Sequence, residues 1–358
     1  MMNYYIKNYF WLRNLKWLLI AFLSLKLIGI FWGFQFHRTV LASNTAFEAK
    51  SLEIFIDTDD SFDSLCLKLE NHLKSIKSFS RLAKIKSFDE SIRPGRFLIL
   101  SSSSNNTIIN TLRSSGQPIN VVFNNQERIE NLAGKISNQL MIDSLSLLNH
   151  ITNDDVVSKK GFTPENALAM YIPNTYEFYW ESDASTFFNR MYYEYQRFWN
   201  ENRLAKAKSL ELTPIEVIVL ASIVHKETTK KEEMPLVAGV YLERLRRNMR
   251  LQADPTVIYT IKKHSGNFKK VIKRVLYRDL EIDSPFNTYL YKGLPPGPII
   301  TPDIASIEAV LNPKMEGYLY FVADIENPGY HKFSKTLSQH NRNRVKYIRW
   351  INSKGITR

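Results

Sequence analysis

The sequence predicts an α+β protein tethered by one amino-terminal transmembrane helix, with a small first domain and a larger second one. Three observations predict it. Residues Trp17 to Phe34 are almost wholly apolar. Short alternating stretches are interspersed with longer helical ones, and no repeat is visible. In the second half, a nearly all-apolar run follows Thr213-Pro214-Ile215-Glu216, a helix start of unusual completeness.

The bulk composition narrows the chemistry. Forty-eight Lys and Arg against 35 Asp and Glu give a net charge of +13, which favours a polyanionic partner: nucleic acid, anionic lipid or an acidic wall polymer. No zinc-finger spacing, phosphate-binding glycine loop or RNA-binding aromatic signature accompanies the charge, so nucleic acid ranks last. Cys66 is the single cysteine. It forms no internal disulfide, rules out a cysteine metal site, and reads as a core residue between Leu65 and Leu67. The histidines lack ligand spacing, so neither metal nor cofactor is implied.

As a helix the apolar run reaches roughly 27 Å, close to the hydrocarbon thickness of a bilayer. Residues 17–36 are assigned to the anchor and 1–16 to a basic cytoplasmic stub. Lys7, Arg13 and Lys16 precede the span, and Trp11, Trp17 and Trp32 suit its interfaces. These features put the amino terminus inside and the body outside, on the periplasmic face of the cytoplasmic membrane. Lys26 is an expensive mid-span charge that snorkelling would ease. A cleaved signal peptide ending near Val40-Leu41-Ala42 is the competing reading; the length of the run favours an anchor. Both readings export the body, away from cytoplasmic nucleic acid.

Residues 46–115 form the expected first domain. Leu52–Ile56 alternates as a strand, 62–73 and 79–86 carry helical spacing, and Arg93-Pro94-Gly95-Arg96 turns into the strand Phe97–Leu100. Strand–helix–helix–strand is the order of a LysM-like module, an order many small α+β units share. Residues 101–106 read as a polar linker, 107–113 as a helix, 121–123 as a strand, 129–140 as a helix and 144–160 as a polar surface loop. Residues 116–350 form the larger domain, with fraying expected beyond Trp350.

Thr213 caps the central helix, Pro214 takes its first position and Glu216 closes a capping box. Ile215–Val224 is apolar nearly all round, so the helix is buried. Its far end carries His225-Lys226-Glu227-Thr228. Glu227 shares a face with Leu220, Ile223 and Val224, and apolar neighbours raise a carboxyl pKa toward what a general acid needs. His225 points roughly 200° away. Periodicity alone favours a plainer reading, in which Glu227 joins the solvated charged stretch 226–233.

The residues beyond that point carry a resemblance. Ala221–Thr228 (ASIVHKET) is followed by Pro235–Leu245 (PLVAGVYLERL), Met249–Tyr259 (MRLQADPTVIY), Asn287-Thr288-Tyr289, Gly293–Ile299 (GLPPGPI), Leu319–Asp324, His331–Ser334 and His340-Asn341. Ile172–Phe178 (IPNTYEF) lies upstream. Taken together, at these separations, the segments resemble the MltG/YceG-like endolytic murein transglycosylases over roughly residues 169–341. The resemblance implies a YceG-like catalytic domain that cuts the MurNAc-β-1,4-GlcNAc bond of nascent peptidoglycan strands without water and leaves 1,6-anhydro-MurNAc ends. It also implies proximity to the wall-synthesis machinery. The family's catalytic glutamate falls on Glu227. His225 stands where the family has its first Glu and puts any supporting role of that carboxylate in doubt, while Ala253 and Asn174, in place of the usual Thr and Asp, bear on substrate contacts.

Gln252, Asp254, Thr256, Asn287 and Tyr289 are the candidates for lining a sugar groove, their amides, hydroxyls and carboxylate suiting sugar recognition. Asp254 is equally a helix cap before Pro255. Residues 293–298 suit a rigid wall, and His331, His340 and Asn341 suit orienting roles or plain structural ones. A hydrolase would need a second carboxylate, with Asp254, Asp283 or Asp324 available. A tethered, non-catalytic glycan-binding scaffold is the remaining alternative.

Overall fold

The structure is a computed structural model that describes residues 2–353, with side chains from Leu15 onward. The side chains of Lys7, Trp11 and Arg13, and the final residues 354–358, lie outside the described residues. Helix α1, Met2–Phe36, runs into a short π-helical turn, His37–Leu41. Its stretch Leu15–Leu41 is 27 residues long, and its most apolar window, with a mean hydropathy of 2.0, has no residue buried in protein. Among the described residues, one helix is therefore long and apolar enough to cross a membrane. Lys26 lays its ammonium 4.7 Å from the Phe22 ring centre, a cation–π contact that eases its mid-span charge.

Two compact units follow from the pattern of contacts. The first comprises Met1–Ile119 together with Tyr179–Glu181. Strand β1, Ser51–Ile56, pairs antiparallel with β2, Gly95–Leu100, from Ser51 opposite Leu100 to Ile56 opposite Gly95. Between them lie α2, Phe62–Glu70, and α3, Ile76–Ile85, and after them α4, Asn105–Arg113. Ser61, Ser75 and Ser104 cap the three helices, each accepting the N–H three residues on. The cap at Ser75 explains why α3 starts ahead of the expected Phe79. The alternating residues Ile54, Ile56, Phe97 and Ile99 meet Leu65, Leu69, Phe79, Ile108 and Ile109 in one core, with Cys66 packed at its edge, half-buried. The expected linker 101–106 ends instead in α4. Asn105 is fully buried there; its amide donates to Thr39 O at 2.8 Å and its oxygen accepts from Asn44 at 2.6 Å.

The second unit comprises Asn120–Phe178 and Ser182–Arg358. Strand β3, Ile119–Phe123, pairs with β4, Asn174–Phe178. Helix α5, Ile129–Ser137, is followed by α6, Ser144–Ile151, and α7, Asp154–Val157. The expected loop 144–160 is therefore helical: Asp143 and Asn153 cap it, and Leu147, Ile151 and Val157 anchor it in the core. Helices α8, Ala184–Phe198, and α9, Glu201–Ser209, lead to α10, Pro214–Glu227, the predicted buried helix with its capping box intact. Then come α11, Met234–Arg246, α12, Asp254–Ser265, and α13, Ile304–Leu311. Strands β5, Tyr320–Ala323, and β6, His331–Ser334, form an antiparallel hairpin before α14, Leu337–Ser353. Val217–Val224 of α10 are all buried, and α11, α12 and α13 pack around them. The fold class is α+β, as predicted.

Candidate active site

The end of α10 opens on a cleft of about 540 Å³ within the second unit. Glu227 lies half-buried in its wall. The hydroxyl of Tyr241, from α11, donates to Glu227 Oε1. Burial drives the Glu227 carboxyl up to about 7 and the nearby Asp254 carboxylate pushes the same way, while the Tyr241 hydrogen bond and the charges of His331 and Arg244 oppose them. A group with that pKa is present in both protonation states near neutrality, as an acid that later serves as a base must be.

Arg244 is the fixed cation of the site. It is 7% exposed, one turn beyond Tyr241 on α11. Its guanidinium donates to Leu319 O at 2.6 Å and Leu251 O at 2.7 Å, and lies 5.1 Å from the Tyr320 ring centre. These neutral acceptors hold the charge in place without cancelling it. Tyr289 donates to Asp254 Oδ1 at 2.6 Å, and burial raises the Asp254 carboxyl above its usual range. Helix α14 presents His340, Asn341, Arg344 and Tyr347 to the same cleft, a stripe with helical spacing.

The model of the YceG-like family matches residues 54–346, most of the sequence. The chain belongs to the YceG-like family. Among its relatives, the endolytic murein transglycosylase of Bacillus subtilis (strain 168) is 41% identical over 154 residues, 43% of this chain and 40% of the relative. That of Streptococcus pneumoniae serotype 2 (strain D39) is 36% identical over 141 residues, 39% of this chain and 25% of the relative. The matched segments thus span less than half of either relative. A crystal structure of a YceG-like protein from Listeria monocytogenes superposes with a TM-score of 0.54 at 24% identity, over 82% of this chain and 98% of that one, and so shares the fold.

The YceG-like fold separates the residues that sequence reasoning grouped together. Gln252, Asp254 and Tyr289 line the cleft with Glu227. Gln252 holds a left-handed backbone, φ 51°, with its N–H donating to Thr288 O at 3.1 Å. Thr256 and Asn287, expected along the groove, are fully buried behind it. Thr256 Oγ1 donates to Ala253 O at 2.7 Å, and the Asn287 amide donates to Leu280 O and Ile282 O at 2.9 Å. Their hydrogen-bonding capacity is spent on holding the loops that carry Gln252 and Tyr289. The capping role considered for Asp254 is also corrected: Ala253 is the N-cap, and Asp254 receives the Tyr289 hydroxyl. His225 lies on the far side of α10, its Nδ1 3.3 Å from Ser306 Oγ and 3.5 Å from Asp303 Oδ1.

Sequence reasoning missed Tyr241, Arg244 and Tyr320. All three lie inside the motif segments 235–245 and 319–324, but nothing in those segments marks them out from their neighbours. Their approach to Glu227 depends on how α11 packs on α10, which spacing along the chain does not encode.

Proposed function

We propose that this chain is an endolytic lytic transglycosylase that cuts the MurNAc-β-1,4-GlcNAc bond of peptidoglycan from the outer face of the cytoplasmic membrane. The observation that carries this is a carboxyl with a pKa near 7 in the wall of a cleft of about 540 Å³. Protonated Glu227 gives its proton to the glycosidic oxygen, and the GlcNAc hydroxyl departs. The resulting Glu227 carboxylate takes the proton from the C6 hydroxyl of the muramyl sugar, whose oxygen bonds to C1. The product carries a 1,6-anhydro end, and Glu227 is protonated again. The substrate supplies its own nucleophile, so one carboxyl suffices where a glycosidase needs two. Tyr241 and Arg244 favour the carboxylate between the steps.

A hydrolase would need a second carboxylate as base. Asp254 is the acidic residue besides Glu227 that lines this cleft. Burial disfavours its ionised form, and its Oδ1 is already taken by the Tyr289 hydroxyl at 2.6 Å, so it is poorly placed to activate a water, which favours the non-hydrolytic reading. Asp283 accepts from Tyr291 at 2.6 Å, and Asp324 caps its own turn through Glu326 N at 2.9 Å; neither lines the cleft. The apolar α1, with the basic residues before it, supports a single-pass topology with the amino terminus inside. The β1–α2–α3–β2 order supports a LysM-like glycan-binding role for the first unit, and an anchor on this membrane suits work beside the wall-synthesis machinery.

Glu227→Gln tests the reading. The amide keeps the shape and loses the proton. Binding to purified glycan strands should persist while cleavage falls by about 10³-fold, the scale of a general acid–base contribution. A Gln variant that cuts like wild type would refute it, and wild type that binds but never cuts would leave a glycan-binding scaffold.

A further inference from the structure

His331 enters the same cleft, from the start of β6. Its backbone N–H donates to Glu233 Oε1 at 2.6 Å and its ring Nδ1 lies 2.9 Å from Glu233 Oε2. Glu233 is 4% exposed, immediately before α11. Burial would raise the Glu233 carboxyl, but the two His331 hydrogen bonds outweigh it and hold the group below its usual range, with Thr228 helping. Glu233 is thus an anion, and an anion at Nδ1 keeps a proton on that nitrogen. Nε2, which has no protein partner among the described residues, is left to the cleft that the ring lines. Phe321 packs edge-on to the His331 ring at 4.9 Å between centroids, and the same ring meets Tyr241 at 5.8 Å. One phenylalanine therefore spaces the two groups that act on Glu227.

We infer that Glu233 and His331 form a positioning pair, in which Glu233 fixes His331 so that its imidazolium supplies the opposing charge for the carboxylate that Glu227 becomes. The inference rests on the transglycosylase reading and deepens it. An enzyme with one acid/base must make that group's two forms close in energy. Desolvation disfavours the carboxylate, and so does Asp254. The opposing charges are those of Arg244 and His331. Tyr241 and Tyr289 contribute hydroxyls that stay protonated, burial raising both. On the α14 side Arg344 is a further permanent cation, and burial holds the His340 imidazole toward neutral. His331 is thus the cation facing Glu227 whose orientation is locked by a buried anion.

The test uses the full chain in detergent. The Glu227 carboxyl is followed by carbon-13 NMR titration, with its signal assigned by its loss in Glu227→Gln. In His331→Asn, whose amide still donates to Glu233, the Glu227 midpoint should rise by about half a unit or more. The alkaline limb of kcat/KM on purified glycan should move up with it, and kcat should fall about tenfold or more. His331→Gln serves the same purpose should the shorter amide not fold. Glu233→Gln should also lower kcat, and that loss should vanish in the His331→Asn background, because Glu233 acts through His331. A merely structural pair would leave the midpoint in place. An unmoved midpoint, or losses that multiply in the double variant, would overturn the inference. Absence of any cleavage by wild type would instead overturn the transglycosylase reading, and the NMR midpoint alone would then decide this one.

Discussion

A buried carboxyl with a raised pKa works against folding at the pH where the proposed catalysis would use it. Glu227 binds its proton up to about 7 in the folded chain and to about 4.5 in the unfolded one. Between those values the native state holds more protons, so stability falls as pH rises through that window. It is fully present below about 4.5 and lost as pH passes about 7. Glu227→Gln removes the dependence. Compared in urea, the variant should match wild type near pH 4 and exceed it by up to about 3 kcal/mol at pH 8. Equal stability at both pH values would mean that Glu227 is not held in a desolvated setting. The apolar face beneath Glu227 was readable from the sequence, while Cys66, read as a core residue, is half-buried at the edge of one. The approach of Glu227's partners was not readable: Tyr241 is 14 residues away, and His331, offered only as an orienting or structural residue, lies beyond two further helices. Contacts of that kind follow from packing rather than from local pattern.

At the scale of elements, α11 matters as much as α10, because it carries both Tyr241 and Arg244. It approaches the segment after α13 so closely that a β-carbon on Gly239 would collide with the Lys314 carbonyl. Backbone fills that space, so no rotamer change relieves the clash. Gly239→Ala should therefore destabilise the fold by about 1–3 kcal/mol and displace Tyr241 and Arg244, lowering kcat as well. Thr213→Ala, at the far end of α10, should cost about 1 kcal/mol through the lost cap and leave kcat unchanged. Urea unfolding with parallel kinetics separates the two; equal kcat in both variants would contradict the role given to α11. Helix α10 was legible because its cap, its proline and its apolar run agree. Helices α6 and α7 were not, because each is short and the polar residues around them resemble a loop. Asp254 was ambiguous for a related reason: an acid before a proline suits a cap, and the Tyr289 that claims it comes from 35 residues further on.

Across the whole molecule, the charge of +13 and the apolar α1 belong to different problems. Charge gives attraction to an acidic polymer or to anionic lipid that salt weakens; an apolar helix gives membrane insertion that salt leaves alone. The full chain should therefore stay with membranes through high-salt and alkaline washes and leave only in detergent. Release by salt alone would show that charge holds it there. The family was visible in the ordered motifs from residue 169 onward, where specific residues cluster. The first unit gave only its strand–helix–helix–strand order, because a small core specifies little beyond hydrophobic spacing.

The products of digestion test the central claim most directly. Purified glycan strands are incubated with the full chain and the new ends are weighed by mass spectrometry. The account predicts 1,6-anhydro-muramyl ends, one water lighter than reducing ends, formed by wild type and absent with Glu227→Gln. New ends that are all reducing would mean that water is the nucleophile, and the assignment of both proton transfers to Glu227 would be wrong.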